Sequence, residues 1–133
     1  MKPVVAEGAA RPLVLVCSEG QDINHLLEIY LAGGEYDVFT ATDGLDLLRK
    51  ALDQKPFVII MGITLPMKDG WEVLKELKAN AGTANIPVVV ISAVDDRDLG
   101  LRLGAAEYME KPVNREMLLR VLHRLQIKGG PVN

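Results

Sequence analysis

Four short polar segments follow apolar runs and carry the side chains with chemical potential. They are Ser18-Glu19 after Leu13–Cys17, Gly62-Ile63-Thr64 after Val58–Met61, Ser92-Ala93 after Ile86–Ile91 and Lys111-Pro112 after Glu107–Met109. The hydroxyls of Ser18 and Ser92, one carboxylate and one ammonium can make an ion pair or cradle an anion. They do not form a nucleophile, base and orienter set. His25 and His123 stand alone on helix-period segments, without an acidic or metal-ligating partner at useful spacing, and are read as surface residues. Cys17 lies in an apolar run and is read as core packing rather than a redox sensor. Asp69 reads as a turn residue, Asp95-Asp96 as a helix start and Trp71 as a packing anchor. No Gly-rich phosphate loop of the Walker or dinucleotide type is present.

The elements that must position these segments alternate between apolar runs and helix-period stretches, the pattern of a parallel sheet with crossover helices. Leu13–Cys17 is apolar throughout, as in a strand buried on both faces. Ile23, Leu26, Leu27, Tyr30 and Leu31 follow at helical spacing, and Gly33-Gly34 ends that helix. A second, less apolar strand over Asp37–Ala41 fits a sheet edge. Asp43 then caps a helix with an expected inner face of Leu45, Leu48, Ala51 and Leu52. Val58–Met61 is central, and Val73, Leu74 and Leu77 stripe a helix from about Gly70 to Asn80. Ile86–Ile91, a short helix over Asp95–Leu103 ended by Gly104, and Glu107–Met109 come next. Asn114 caps a last helix facing inward through Leu118, Val121, Leu122 and Leu125. The fold expected is α/β: a doubly wound, flavodoxin-like, five-stranded parallel sheet of order 2-1-3-4-5, with its site at the carboxyl ends of the first and third strands.

The chain has 133 residues, 49% hydrophobic and 25% charged, enough for one domain with one continuous core. Residues 13–127 are expected to form it, with residues 1–12 and 128–133 as tails. The net charge of −3 supplies no basic field for a nucleic-acid backbone or an anionic membrane. A lone cysteine, and the lack of any apolar run near the roughly 20 residues needed to span a bilayer, fit a cytoplasmic protein.

The ordered set Leu65-Pro66-x-x-Asp69-Gly70, Ile86-Pro87, Ser92-Ala93, Gly104-Ala105-Ala106-Glu107-Tyr108 and Lys111-Pro112 resembles the response-regulator receiver domain of two-component signalling, over roughly Leu13 to Leu125. The stretch Val94–Gly100 and its short helix look like receivers fused to hybrid sensor kinases, of which this chain could be a piece.

In that family two acidic residues after the first strand and an aspartate after the third hold Mg²⁺, and the last aspartate accepts a phosphoryl group from a kinase histidine. Matched without gaps, Ser18-Glu19 takes the place of the acidic pair, a one-residue slip would put Cys17-Ser18 there, and the acceptor position is Gly62. Ser92 and Lys111 match the residues that bind phosphoryl oxygens, and Tyr108 the switch aromatic. The resemblance implies three carboxylates and a lysine, formally −2; Glu19 and Lys111 give zero. Loss of Mg²⁺ and of phosphorylation is therefore expected, and no other cofactor. Lys111 is expected to pair with Glu19, the alternative being a lysine that only packs its stem. A free anion held by Ser18, Ser92, Lys111 and the amide groups around Gly62 is a further alternative.

The resemblance also implies a partner face on helix four, strand five and helix five, here Leu99, Arg102, Tyr108, Arg120 and Arg124. The expected function is that of a non-enzymatic pseudo-receiver, an interaction module for a histidine kinase, another receiver or an output domain, or for a homodimer through that face. The alternative is a phosphorelay receiver modified at a substitute carboxylate.

Overall fold

The computed structural model describes residues 11–18, 21–31 and 35–128. The elements are β1 Leu13–Cys17, α1 Gln21–Tyr30, β2 Asp37–Thr40, α2 Gly44–Gln54, β3 Val58–Met61, α3 Gly70–Ala79, β4 Val88–Ser92, α4 Arg97–Arg102, β5 Glu107–Glu110 and α5 Arg115–Lys128. The expected tails lie, apart from residues 11, 12 and 128, outside the described residues.

The five strands pair in the order β2-β1-β3-β4-β5, as expected, and every pair is parallel. The apolar runs of β1, β3 and β4 divide by alternation between two cores. Leu15, Cys17, Ile59, Met61, Val88 and Val90 face a layer built with Leu47, Val73, Leu74 and Leu77 from α2 and α3. Val14, Val16, Val58, Ile60, Val89 and Ile91 face Leu27, Leu118, Val121 and Leu122 from α1 and α5. Winding therefore reverses between β1 and β3, and the register Cys17 to Met61 brings Ser18 and Gly62 out side by side at their carboxyl ends.

Caps set the helix entries. The Asp43 carboxylate accepts from Asp46 N at 2.8 Å, and the Asp46 carboxylate accepts from Thr42 N at 2.9 Å, so one amide of the first turn and one just before the cap are satisfied reciprocally. Asn114 Oδ1 accepts from Met117 N at 3.1 Å at the start of α5. Asp69 precedes α3 without a side-chain cap. A Cβ on Gly70 would lie 2.6 Å from Ile63 Cα, so only glycine lets α3 begin against the segment after β3.

Two expectations need correction. The buried face of α2 is Gly44, Asp46, Leu47 and Ala51, with Leu48 half-buried, while Leu45 and Leu52 are 51% and 40% exposed. The helix is rotated because the cap draws Asp46 inward, where Arg49 and Lys50 neutralise it. In addition, α4 covers only Arg97–Arg102: Asp96 is its N-cap, its carbonyl accepting from Gly100 N at 3.0 Å, and Asp95 lies before it.

Candidate functional site

Backbone bonds bring the four polar segments together at one end of the sheet. Gly62 N donates to Cys17 O and Lys111 N donates to Ser92 O, both at 2.9 Å. The gathering is thus a property of the parallel ladder and survives any choice of side chain.

Gly62 occupies the centre. A Cβ built there would meet Ser18 Cα and Cβ at 3.5 Å and Ile91 O at 3.7 Å, ordinary contacts, on a backbone that any residue adopts. Neither space nor conformation demands glycine here. Ser18, not Cys17, borders it; the Ser18 hydroxyl is buried and donates to Asn24 Oδ1 at 3.0 Å. The role of Asn24 was not anticipated: it stands six residues on, in a helix, where an amide reads as surface. Glu19, and with it the expected pairing to Lys111, lies outside the described residues.

Cys17 is fully buried, and desolvation, reinforced by the Asp43 and Asp46 carboxylates, pushes its thiol up to about 12. This is an inert thiol in the core. Ser92 is buried, and its Oγ accepts from Val94 N at 3.1 Å, which folds the chain after β4 into a tight turn. Lys111 is half-buried and joins Pro112, Val113, Leu26, Leu27 and Tyr30 around a largely apolar cleft of about 370 Å³ beside the strand ends.

Magnesium fits this donor set poorly. Gly62 offers no side-chain oxygen, the Ser18 hydroxyl replaces a carboxylate, and no group of three His, Cys, Asp or Glu side chains suited to a metal ion occurs among the described residues.

Tyr108 is 1% exposed and so lies beneath the partner face rather than on it, a third correction. Its hydroxyl donates to Val94 O and accepts from Asp96 N, and its ring packs where Gly100 lacks a side chain. The burial follows from Gly100: a Cβ there would lie 2.8 Å from the Tyr108 ring. Arg102, Arg120 and Arg124 are exposed and Leu99 half-exposed, as the face requires. Its organising residues are ones the sequence did not single out. Glu107 accepts from Arg124 at 2.6 Å and from Arg97 at 3.3 Å, tying α4, β5 and α5 together, while Arg97 also donates to Tyr108 O at 2.8 Å.

The two histidines do meet carboxylates, both on the surface: His25 lies 3.7 Å from Glu28 and His123 3.1 Å from Glu35. Trp71 packs against the α2–α3 core as an anchor. No helix among the described residues is long and apolar enough to cross a membrane.

A five-stranded 2-1-3-4-5 sheet with its polar groups gathered at these strand ends defines the class, and the comparisons agree. The response regulator receiver domain model matches residues 14–123, and the chain belongs to that family. It is 38% identical over 127 residues to the transcriptional regulatory protein PrrA of Mycobacterium tuberculosis, covering 92% of this chain and 54% of PrrA. It is 40% identical over 112 residues to the alkaline phosphatase synthesis transcriptional regulatory protein PhoP of Bacillus subtilis, covering 81% of this chain and 46% of PhoP. The chain thus spans about half the length of these relatives. Among solved structures, the receiver domain of the sensor histidine kinase PA1611 of Pseudomonas aeruginosa, which has a magnesium ion in its active site cleft, superposes with a TM-score of 0.80 at 28% identity, covering 87% of this chain and 98% of that one. The chemotaxis response regulator CheY4 of Vibrio cholerae does so with a TM-score of 0.80 at 27% identity, covering 87% and 99%.

Proposed function

We propose that this receiver domain is a pseudo-receiver, a non-catalytic interaction module that signals without phosphorylation of its strand-end pocket and without Mg²⁺. The observation that carries the reading is Gly62: the position has room for a side chain, and the residue there has none to phosphorylate. Ser18 beside it supports the same reading, because a hydroxyl already bonded to Asn24 is a weak substitute for a metal-binding carboxylate.

Output then resides in a fixed partner face. In an ordinary receiver, burial of the aromatic on β5 is coupled to movement of the hydroxyl residue on β4 toward the phosphoryl group. Here Tyr108 is buried while the Ser92 hydroxyl is engaged by its own turn, so the α4–β5–α5 face stands in one state. Its partner is a histidine kinase, another receiver or an output domain in the cytoplasm. The short α4 and the likeness to a sensor-kinase receiver favour a place within or beside a hybrid kinase.

Incubation with acetyl phosphate and Mg²⁺, followed by intact-mass measurement, tests the reading. An unchanged mass is expected. A hydroxylamine-labile phosphoryl adduct would show instead a working phosphorelay receiver with a substitute carboxylate.

A further inference from the structure

The rotation of α2 leaves an apolar stripe on the outside of the molecule. Leu45 and Leu52, two turns apart on one helix, are 51% and 40% exposed, with Leu48 half-buried between them. An amphipathic helix normally turns such a stripe inward. Here Leu47 and Ala51 fill the core side and Leu48 packs against its edge, so Leu45 and Leu52 are left outside it.

Beside its carboxyl-terminal half, α2 forms a groove of about 340 Å³ with α3. Leu48, Leu52, Glu76, Ala79, Asn80 and Thr83 line it. The amino-terminal half carries the knob, Leu45. Knob and groove are thus offset along one helix by about two turns, roughly 10 Å.

We propose that this face binds a second copy of the chain, with the two α2 helices packed antiparallel about a two-fold axis near residues 48 and 49. A two-fold there places Leu45 of each copy over Leu52 and the groove of the other, a self-complementary fit with a symmetric interface. Charge follows the same register. Asp43 lies next to the knob, and Lys55, which donates to Gly82 O at 2.9 Å, lies at the end of α2 beside the groove. The axis that pairs Leu45 with Leu52 also brings Asp43 opposite Lys55, acid to base at both ends. Near the axis, Arg49 pairs with Asp46 of its own chain and also feels Asp53 and Asp43, which offsets the repulsion between the two guanidinium groups. A partner of one charge sign would meet a like charge at one end of this mixed border, whereas a second copy meets the opposite charge at both. The α4–β5–α5 face lies elsewhere and stays open. The inference is independent of the pseudo-receiver reading, since it uses no residue of the strand-end pocket.

Sedimentation velocity on the full chain over a concentration series up to millimolar, with L45E, L52E and L101E compared, tests it. The unaltered chain is expected to sediment as a dimer and L45E as a monomer with half the mass. Leu45 is largely solvent-exposed, so the L45E melting temperature should stay close to that of the parent. L52E is expected to act in the same way and serves if L45E does not fold. L101E alters an exposed leucine on α4 and should leave the dimer intact. A monomeric parent across the series, a dimer that persists in folded L45E and L52E, or a dimer abolished by L101E would each overturn the proposal.

Discussion

Gly100 and Tyr108 are made for each other: a methyl group on Gly100 would sit 2.8 Å from Cδ2 of the Tyr108 ring, which is itself 1% exposed. The ring has nowhere to retreat, held at its far end by Val94 O and Asp96 N. Gly100→Ala gains about 1 kcal/mol of helix propensity but overpacks the core at a cost of about 1–3 kcal/mol. Net destabilisation is expected, read as a lower urea midpoint at unchanged slope. Tyr108→Phe keeps the ring and loses only the hydroxyl bonds, so it should cost about 1 kcal/mol.

Gly62 and Gly70 should respond oppositely to alanine. At Gly62 the new methyl meets only ordinary contacts, so Gly62→Ala should fall within about 1 kcal/mol of the parent, aided by a less flexible unfolded chain. At Gly70 it would strike the backbone of Ile63 at 2.6 Å and force α3 from its seat. A loss of more than about 2 kcal/mol is expected there. Thermal melts of the two variants check the contrast, and equal losses would show that Gly62 has no room for a methyl group.

The pocket should be repairable. With room at Gly62 and Ser18 alongside, the double variant Gly62→Asp, Ser18→Asp restores carboxylates at both positions. Gly62→Asp alone is expected to fold but to bind Mg²⁺ weakly, whereas the double variant should titrate with Mg²⁺ and gain a hydroxylamine-labile phosphoryl mass from acetyl phosphate. A double variant that is folded and inert would locate the defect elsewhere.

Asp46 gives the fold an acid-sensitive joint. The Thr42 amide, and then the Arg49 and Lys50 side chains, hold its carboxyl well below its ordinary value of 3.8. Because the folded value is the lower one, the stabilisation is complete above the ordinary value and is lost as pH falls through the folded one. Asp46→Asn should therefore cost roughly 1 kcal/mol at neutral pH. The gap between variant and parent should narrow steadily once the pH drops below about 4, as urea melts across an acid series can show.

Cys17 should behave as a silent reporter of unfolding. Its thiol is raised from 9.0 to about 12, so the native chain should resist iodoacetamide near neutral pH and react fully in denaturant. The folded value exceeds the unfolded one, so this group's contribution is intact below 9.0 and fades as the pH climbs toward about 12. Rapid native alkylation at neutral pH would contradict the burial.

Much of this architecture was legible because β1, β3 and β4 are apolar at nearly every position, a pattern that only strands covered on both faces sustain. Gly62 and Ser92 were legible because each directly follows or ends such a run, and Lys111 because Lys111-Pro112 turns the chain after the last strand. The inner face of α2 was not. Its buried positions include Asp46, a carboxylate that periodicity assigns to solvent and that only the local cap explains. Tyr108 was assigned to the surface because its burial depends on Gly100, and one missing side chain in a short helix is a faint signal. The Glu107 clamp escaped because Arg97 and Arg124 lie far apart in sequence and meet only through the packing of α4 and α5 around β5.

The Arg97 guanidinium on the Tyr108 carbonyl has a further effect. The strand that carries that carbonyl is the outermost of the sheet on its side, and its exposed backbone would otherwise invite a foreign strand to add on. With one carbonyl occupied and only four residues of length, that border is a poor template for cross-chain ladders or fibres. Association at that border is thereby steered away from backbone and toward the flanking helix surfaces, where side chains can choose the partner.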